Sequence, residues 1–140
     1  MKDVEFPVSA EVAYDYLVDP ANRAEWQSSL RTVEDVRGPD DVVGQSWTDV
    51  TVPGLRPRME LTEASRPHRW SERGTWRSVE ADLTLTFSPR GPDACAVGVT
   101  MGLRARGLLG LPMRVVDRAA PYAVASDLRR AAKILGRARA

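Results

Sequence analysis

LLGLPMRVVDRAAPYAVASDLRRAAKILGRA, residues 108–138, is the longest helical pattern in the chain, and the other elements are read around it. Apolar residues recur in it at helical spacing: Leu108, Leu111, Val115, Val116, Ala119, Tyr122, Ala123, Val124, Leu128, Ala131, Ile134 and Leu135. Arg114, Arg118, Arg129, Arg130, Lys133 and Arg137 fill the opposite stripe, the signature of an amphipathic helix. Pro112 suits a first helical turn, where a missing N–H costs nothing. A helix from Leu111 to Ala138 is roughly 40 Å long at 1.5 Å per residue. Pro121 should bend it, since proline has no hydrogen to donate and its ring displaces the carbonyl of Asp117.

Upstream, the chain reads as material for that helix to cover. Val4 to Val8 is a short strand. Ser9 then offers an N-cap oxygen, and Glu11 sits in the first turn of a helix with Val12, Ala13, Tyr16 and Leu17 on one face, running to Val18. Asp19-Pro20 starts a second, short helix that ends near Trp26. Six strands follow: Arg31 to Arg37, Gly44 to Val52, Arg56 to Ala64, His68 to Trp76, Val79 to Ser88 and Cys95 to Leu103. Pro53-Gly54 suits the central positions of a type II turn. The fifth strand alternates most cleanly, with Val79, Ala81, Leu83, Leu85 and Phe87 facing one way. Short turns between successive strands imply antiparallel neighbours with one face buried, and only the last helix is long and apolar enough to cover that face.

The 140 residues are one domain's worth of material, with an ordinary 43% hydrophobic and 28% charged content. No apolar run reaches the ~20 residues of a membrane span, so stable membrane insertion is not expected. A single cysteine, Cys95, leaves no internal disulfide and no zinc site to expect. The N-terminus lacks the basic-then-apolar pattern of a leader, and the expectation is a cytoplasmic protein. The formal net charge is +1, unevenly spread: from Arg104 onward nine Lys/Arg face two acids, Asp117 and Asp127. Without exposed aromatics between them, these cations read as a solvated helix face rather than a nucleic-acid surface.

The order of elements resembles the helix-grip fold of the START and birch-pollen-allergen superfamily. More narrowly it resembles the bacterial SRPBCC branch, the polyketide cyclase/dehydrase and lipid transport proteins. Val8-Ser9-Ala10-Glu11-Val12-Ala13-Tyr14-Asp15-Tyr16-Leu17 carries the likeness, with Asp19-Pro20 ahead of Glu25-Trp26. Val43-Gly44-Gln45-Ser46-Trp47 and Glu63-Ala64-Ser65-Arg66-Pro67-His68-Arg69-Trp70 continue it. The resemblance implies an α+β domain over residues 1–140: a curved antiparallel sheet of about seven strands, in the order β-α-α-β6-α, gripping the C-terminal helix. It also implies a cavity between sheet and helix that takes a small lipophilic molecule, lipid or polyketide-like. No catalytic set is shared across the branch, and none is carried over.

Parity places Trp70 on one face with Glu72 and Trp76, and Trp47 with Asp49. Together with the implied cavity, this makes Trp26, Trp47, Asp49, Met59, Leu61, Trp70, Glu72, Leu85, Phe87, Val99, Met101 and Tyr122 the candidate lining. Tryptophans in such positions equally serve as core. An inward carboxylate needs a partner, for which Arg56, Arg58 and Arg73 are the candidates. His68, the lone histidine, follows a turn and reads as surface. No metal-ligand, phosphate-loop or nucleophile motif is present, and no cofactor is expected. Carriage of a hydrophobic ligand is the first functional expectation, and a cyclase or dehydratase using the same cavity is the alternative. An interaction module with a filled core is the third.

Overall fold

In the computed structural model residues 3–105 and 110–139 are described, except for the side chains of residues 105, 110–123 and 139. Strand β1, Val4–Phe6, leads into α1, Ala10–Val18, and a 3-10 turn at Pro20–Asn22 leads into α2, Arg23–Trp26. Six strands follow: β2 Leu30–Arg37, β3 Ser46–Thr51, β4 Arg58–Ser65, β5 Arg69–Trp76, β6 Val79–Pro89 and β7 Cys95–Ala105. Helix α3, Gly110–Arg139, completes the chain and spans Pro121. Gly107-Leu108-Leu109-Gly110, whose flanking glycines read in sequence as a hinge between the last strand and the helix, falls outside the described residues, except that Gly110 opens the helix.

The caps account for the helix starts. The Ser9 side chain accepts from the Val12 N–H, and Asp19 accepts from the Ala21 N–H with Pro20 just inside the 3-10 turn. One helical face differs from the sequence expectation. Ala10, Ala13, Tyr14 and Leu17 are buried on α1, whereas Val12 is 47% exposed and Tyr16 is half-buried. The stripe sits one position round because Tyr14 buries its ring against Phe87, with centroids 5.2 Å apart. Its hydroxyl donates to Asp41 Oδ1 at 2.7 Å, so burial leaves no polar atom unpaired.

All seven strands form one antiparallel sheet in the order β1-β7-β6-β5-β4-β3-β2. The β3–β4 turn also differs from expectation. The Gly54 N–H bonds the Thr51 carbonyl, so Val52 and Pro53 are central and Gly54 follows at φ +95°. That left-handed residue, natural for glycine, lets the Leu55 carbonyl turn back to the Thr51 N–H at 3.0 Å. Helix α3 packs over β7 and β1 and touches α2. Its Ala125, Leu128, Ala131, Ala132 and Leu135 are buried, while Arg129, Arg130, Lys133 and Arg137 are exposed. The three- and four-residue spacing of the buried set is the amphipathic period realised.

Leu128 has no exposed surface, so Leu128→Ala should cost about 2–5 kcal/mol in urea unfolding, the range for emptying a packed leucine site. Val12→Ala should stay within about 0.5 kcal/mol, as for an exposed position.

Candidate functional site

The strand registers arrange the inner face of the sheet in rows. Trp70, Leu85 and Val99 form one row across β5, β6 and β7. Leu61, Glu72, Leu83 and Met101 form the next, and Met59, Gly74, Ala81 and Leu103 the one after it. Side-chain size changes along these rows. The first lies in a packed core with Phe87, Val97, Tyr14 and Leu17. In the third, Met59 takes up the room over Gly74, its sulfur 2.7 Å from where a Cβ would sit, and the short Ala81 leaves space beyond it.

That space is a cavity of about 400 Å³, within the usual size range of small-molecule sites. Its apolar wall is Leu55, Pro57, Met59, Trp76, Val79, Ala81, Leu83, Met101 and, from α3, Val124. Gln27, Ser28 and Ser29 approach it from the α2–β2 link, and Asp49 and Glu72 carry charge into it. Of the residues expected to line a ligand space, the structure brings Asp49, Met59, Glu72 and Met101 together here. Trp26, Trp47, Leu61, Trp70, Leu85 and Phe87 are buried in the core, and Val99 packs against it. The side chain of Tyr122 lies outside the described residues. Trp76, Val79, Ala81 and Leu83 were absent from the expected lining, although alternation had put them on the inner face. What excluded them was the row, which alternation does not report.

A buried charge group forms the polar end of the cavity. Arg23 of α2, 2% exposed, donates both terminal nitrogens to Glu72, at 3.2 and 3.3 Å, and its Nε to Gln27 Oε1 at 3.0 Å. Its Cζ lies 5.7 Å from the Trp47 ring centroid and 5.4 Å from that of Trp70, and those two rings stack at 6.3 Å. Trp47 Nε1 donates to Asp49 Oδ1 at 3.0 Å. Arg23 is therefore the partner that sequence reasoning sought among Arg56, Arg58 and Arg73. Those three pair elsewhere: Arg56 with Glu34, Arg58 with Asp35, and Arg73 with Glu80 and Asp82. Nothing in the sequence marks Arg23, because its partner is 49 residues away.

One guanidinium faces two carboxylates. Burial pushes the Asp49 carboxyl above the ordinary range, against the opposing pull of Arg23 and the Trp47 hydrogen bond. Burial also raises Glu72, with the Asp49 charge adding to the rise and Arg23 opposing it. The pair holds a proton to higher pH than isolated carboxyls do.

Elsewhere, burial pushes the Cys95 thiol up to about 11, which makes it an inert core group. His68 is exposed at the turn before β5. Among the described residues no group of His, Cys, Asp and Glu is placed to hold a metal ion, and no helix is long and apolar enough to cross a membrane.

A model of the family described as polyketide cyclase / dehydrase and lipid transport matches residues 2–138. The chain belongs to this family. Similar solved structures give the same α+β helix-grip architecture to this polyketide cyclase/dehydrase and lipid transport family member. A START superfamily protein from Mycobacterium smegmatis is similar at TM-score 0.75 and 15% identity, over 96% of each chain. A protein from Thermus thermophilus is similar at 0.74 and 18% identity, covering 99% of this chain and 97% of that one. Norcoclaurine synthase from Thalictrum flavum, in complex with dopamine and hydroxybenzaldehyde, is similar at 0.63 and 15% identity, covering 95% and 83% respectively. No curated protein sequence matches the chain.

For this family member the charge group sets a pH dependence of stability. A carboxyl whose folded pKa is raised binds its proton more tightly folded than unfolded. Its contribution is fully present below the unfolded value and is lost as pH rises through the folded value. Asp49→Asn removes the surplus charge, so its urea midpoint should exceed the parent's at pH 8, and the gap should close as pH falls toward 4.5. Arg23→Met should behave oppositely: a loss of about 3–5 kcal/mol at pH 8, as for an orphaned buried charge, that shrinks on acidification.

Proposed function

We propose that this domain binds and carries a small hydrophobic molecule in the cavity between the inner face of the sheet and α3. The observation that carries the reading is the cavity itself: about 400 Å³ next to a well-packed core, walled mainly by apolar side chains. A void of that size, framed by Met59, Leu83 and Met101, forfeits dispersion contacts that a ligand would restore. Membership of a family that includes lipid transport supports it.

A second reading is an acid–base enzyme of the cyclase or dehydratase kind using the same cavity. Asp49 and Glu72 favour it, because burial holds their carboxyls above the ordinary range, the kind of shift that acid–base sites use. The similarity to norcoclaurine synthase is consistent with this fold hosting an enzyme. Both readings need the cavity, so its occupancy is the first thing to establish.

N-phenyl-1-naphthylamine, an uncharged lipophilic fluorophore, should bind saturably with enhanced emission. Met101→Trp should fill the ligand's place and weaken that binding about tenfold or more, while stability stays within about 1 kcal/mol of the parent because the new volume has somewhere to go. Leu17→Trp, in the packed core, should lose about 1–3 kcal/mol or more. If Met101→Trp unfolds the protein as readily as Leu17→Trp, the space is filled and both readings fall.

A further inference from the structure

The charges around the cavity are one-sided. Four titratable residues line it among those described, Asp49, Glu72, Asp82 and Asp127, and all four are acids. Two of them are engaged. Glu72 gives both oxygens to Arg23, and Asp82 turns to Arg73 and Arg104, the latter at 2.7 Å. Asp49 is different. It is 8% exposed, its Oδ1 accepts from Trp47, and its Oδ2 has no hydrogen-bond partner among the described residues. A carboxylate only 8% exposed, with one oxygen left without a protein partner on the lining of a mainly apolar cavity, gains when a donor arrives to meet it.

The class of donor follows from the charge count. With both acids ionised, Arg23, Glu72 and Asp49 together carry one surplus negative charge. A ligand hydroxyl would complete the hydrogen bonding and leave that charge unanswered. A fatty acid would add a second negative charge beside it, which a low-dielectric site resists. A protonated amine does both jobs: it donates to Oδ2 and neutralises the surplus in one charge-assisted contact. Asp127, on the α3 side of the cavity, adds field of the same sign.

We propose that the hydrophobic ligand of this cavity is a lipophilic amine. Its ammonium group seats on Asp49, with the Arg23–Glu72 pair behind, and its apolar body lies against Met59, Leu83 and Met101. This deepens the binding reading above and rests on it. The Arg23–Glu72 pair acts as a positioning element: it anchors α2 to β5 and holds Trp47, whose indole fixes the orientation of Asp49.

Three probes with one aromatic body separate the possibilities: 2-(1-naphthyl)ethylamine, 2-(1-naphthyl)ethanol and 1-naphthylacetate, titrated calorimetrically into the full chain at pH 7. The amine should bind about tenfold or more tighter than the alcohol, with the carboxylate weakest. Asp49→Asn, confirmed as folded by its urea midpoint, should collapse the amine-over-alcohol ratio toward one. If the alcohol or the carboxylate binds as well as the amine, or if the amine keeps its advantage in Asp49→Asn, the amine assignment is wrong while the hydrophobic-binding reading stands. If none of the three binds and N-phenyl-1-naphthylamine also fails, that reading falls and takes the assignment with it.

Discussion

The Arg23 guanidinium crosses from the short helix α2 to Glu72 in the middle of β5, and the inner architecture is arranged around that contact. It ties a four-residue helix, too short to be stable alone, to the centre of the sheet. It also brings the ring faces of Trp47 and Trp70 close to a cation, an arrangement worth more away from water than at a surface. Trp47 in turn passes its indole hydrogen to Asp49. Charge, aromatic packing and the orientation of one carboxylate are thus a single connected group, and no member can be changed without altering what its neighbours need.

Covering a seven-stranded sheet with one helix leaves a geometric remainder. Helix α3 lies over β7 and β1, near one edge of the sheet, and α1 closes the end of the inner face where Phe87, Leu85 and Val97 sit. In the far rows, toward the β5–β6 hairpin, Met59 covers Gly74 and only the short Ala81 lies beside it, which leaves the gap. The cavity is therefore a consequence of row composition as much as of helix placement. The packed end and the hollow end share the same strands.

This explains which parts were legible in the sequence. Alternation along β6 identified the inner face correctly, since Leu83, Leu85 and Phe87 are all buried. The covering helix was readable because its apolar period extends over many turns. Position along a strand was not readable. Registers depend on bulges such as those between Leu61 and Glu63 and between Glu34 and Arg37, and single-residue periodicity is blind to them. Hence Trp70, Leu85 and Val99 look equivalent to Met59 and Met101 in sequence, yet they occupy the filled end. Arg23 was illegible for another reason: an arginine in a short, charged helix looks like surface, and only tertiary contact reveals it as buried. The phase error on α1 has a local cause, because Tyr14 looks half-polar until Asp41 is seen to satisfy its hydroxyl.

Stability does not explain the charge group. Replacing a buried ion pair by apolar residues of similar volume is often neutral or stabilising, so a sheet built only to fold would do as well with a methionine or leucine in place of each of Arg23, Glu72 and Asp49. The second carboxylate deepens the point, for Asp49 raises the electrostatic cost of Glu72 and gains only one hydrogen bond in return. An arrangement that folding alone disfavours, placed at the one end of the inner face left hollow, is accounted for once something enters the hollow. On the binding proposed above, the fold holds Asp49 ready at some cost to its own stability, and a ligand would meet a carboxylate already oriented. Preorganisation of that kind moves the cost of ordering the site from binding to folding, which is how a small cavity achieves selectivity with few polar contacts.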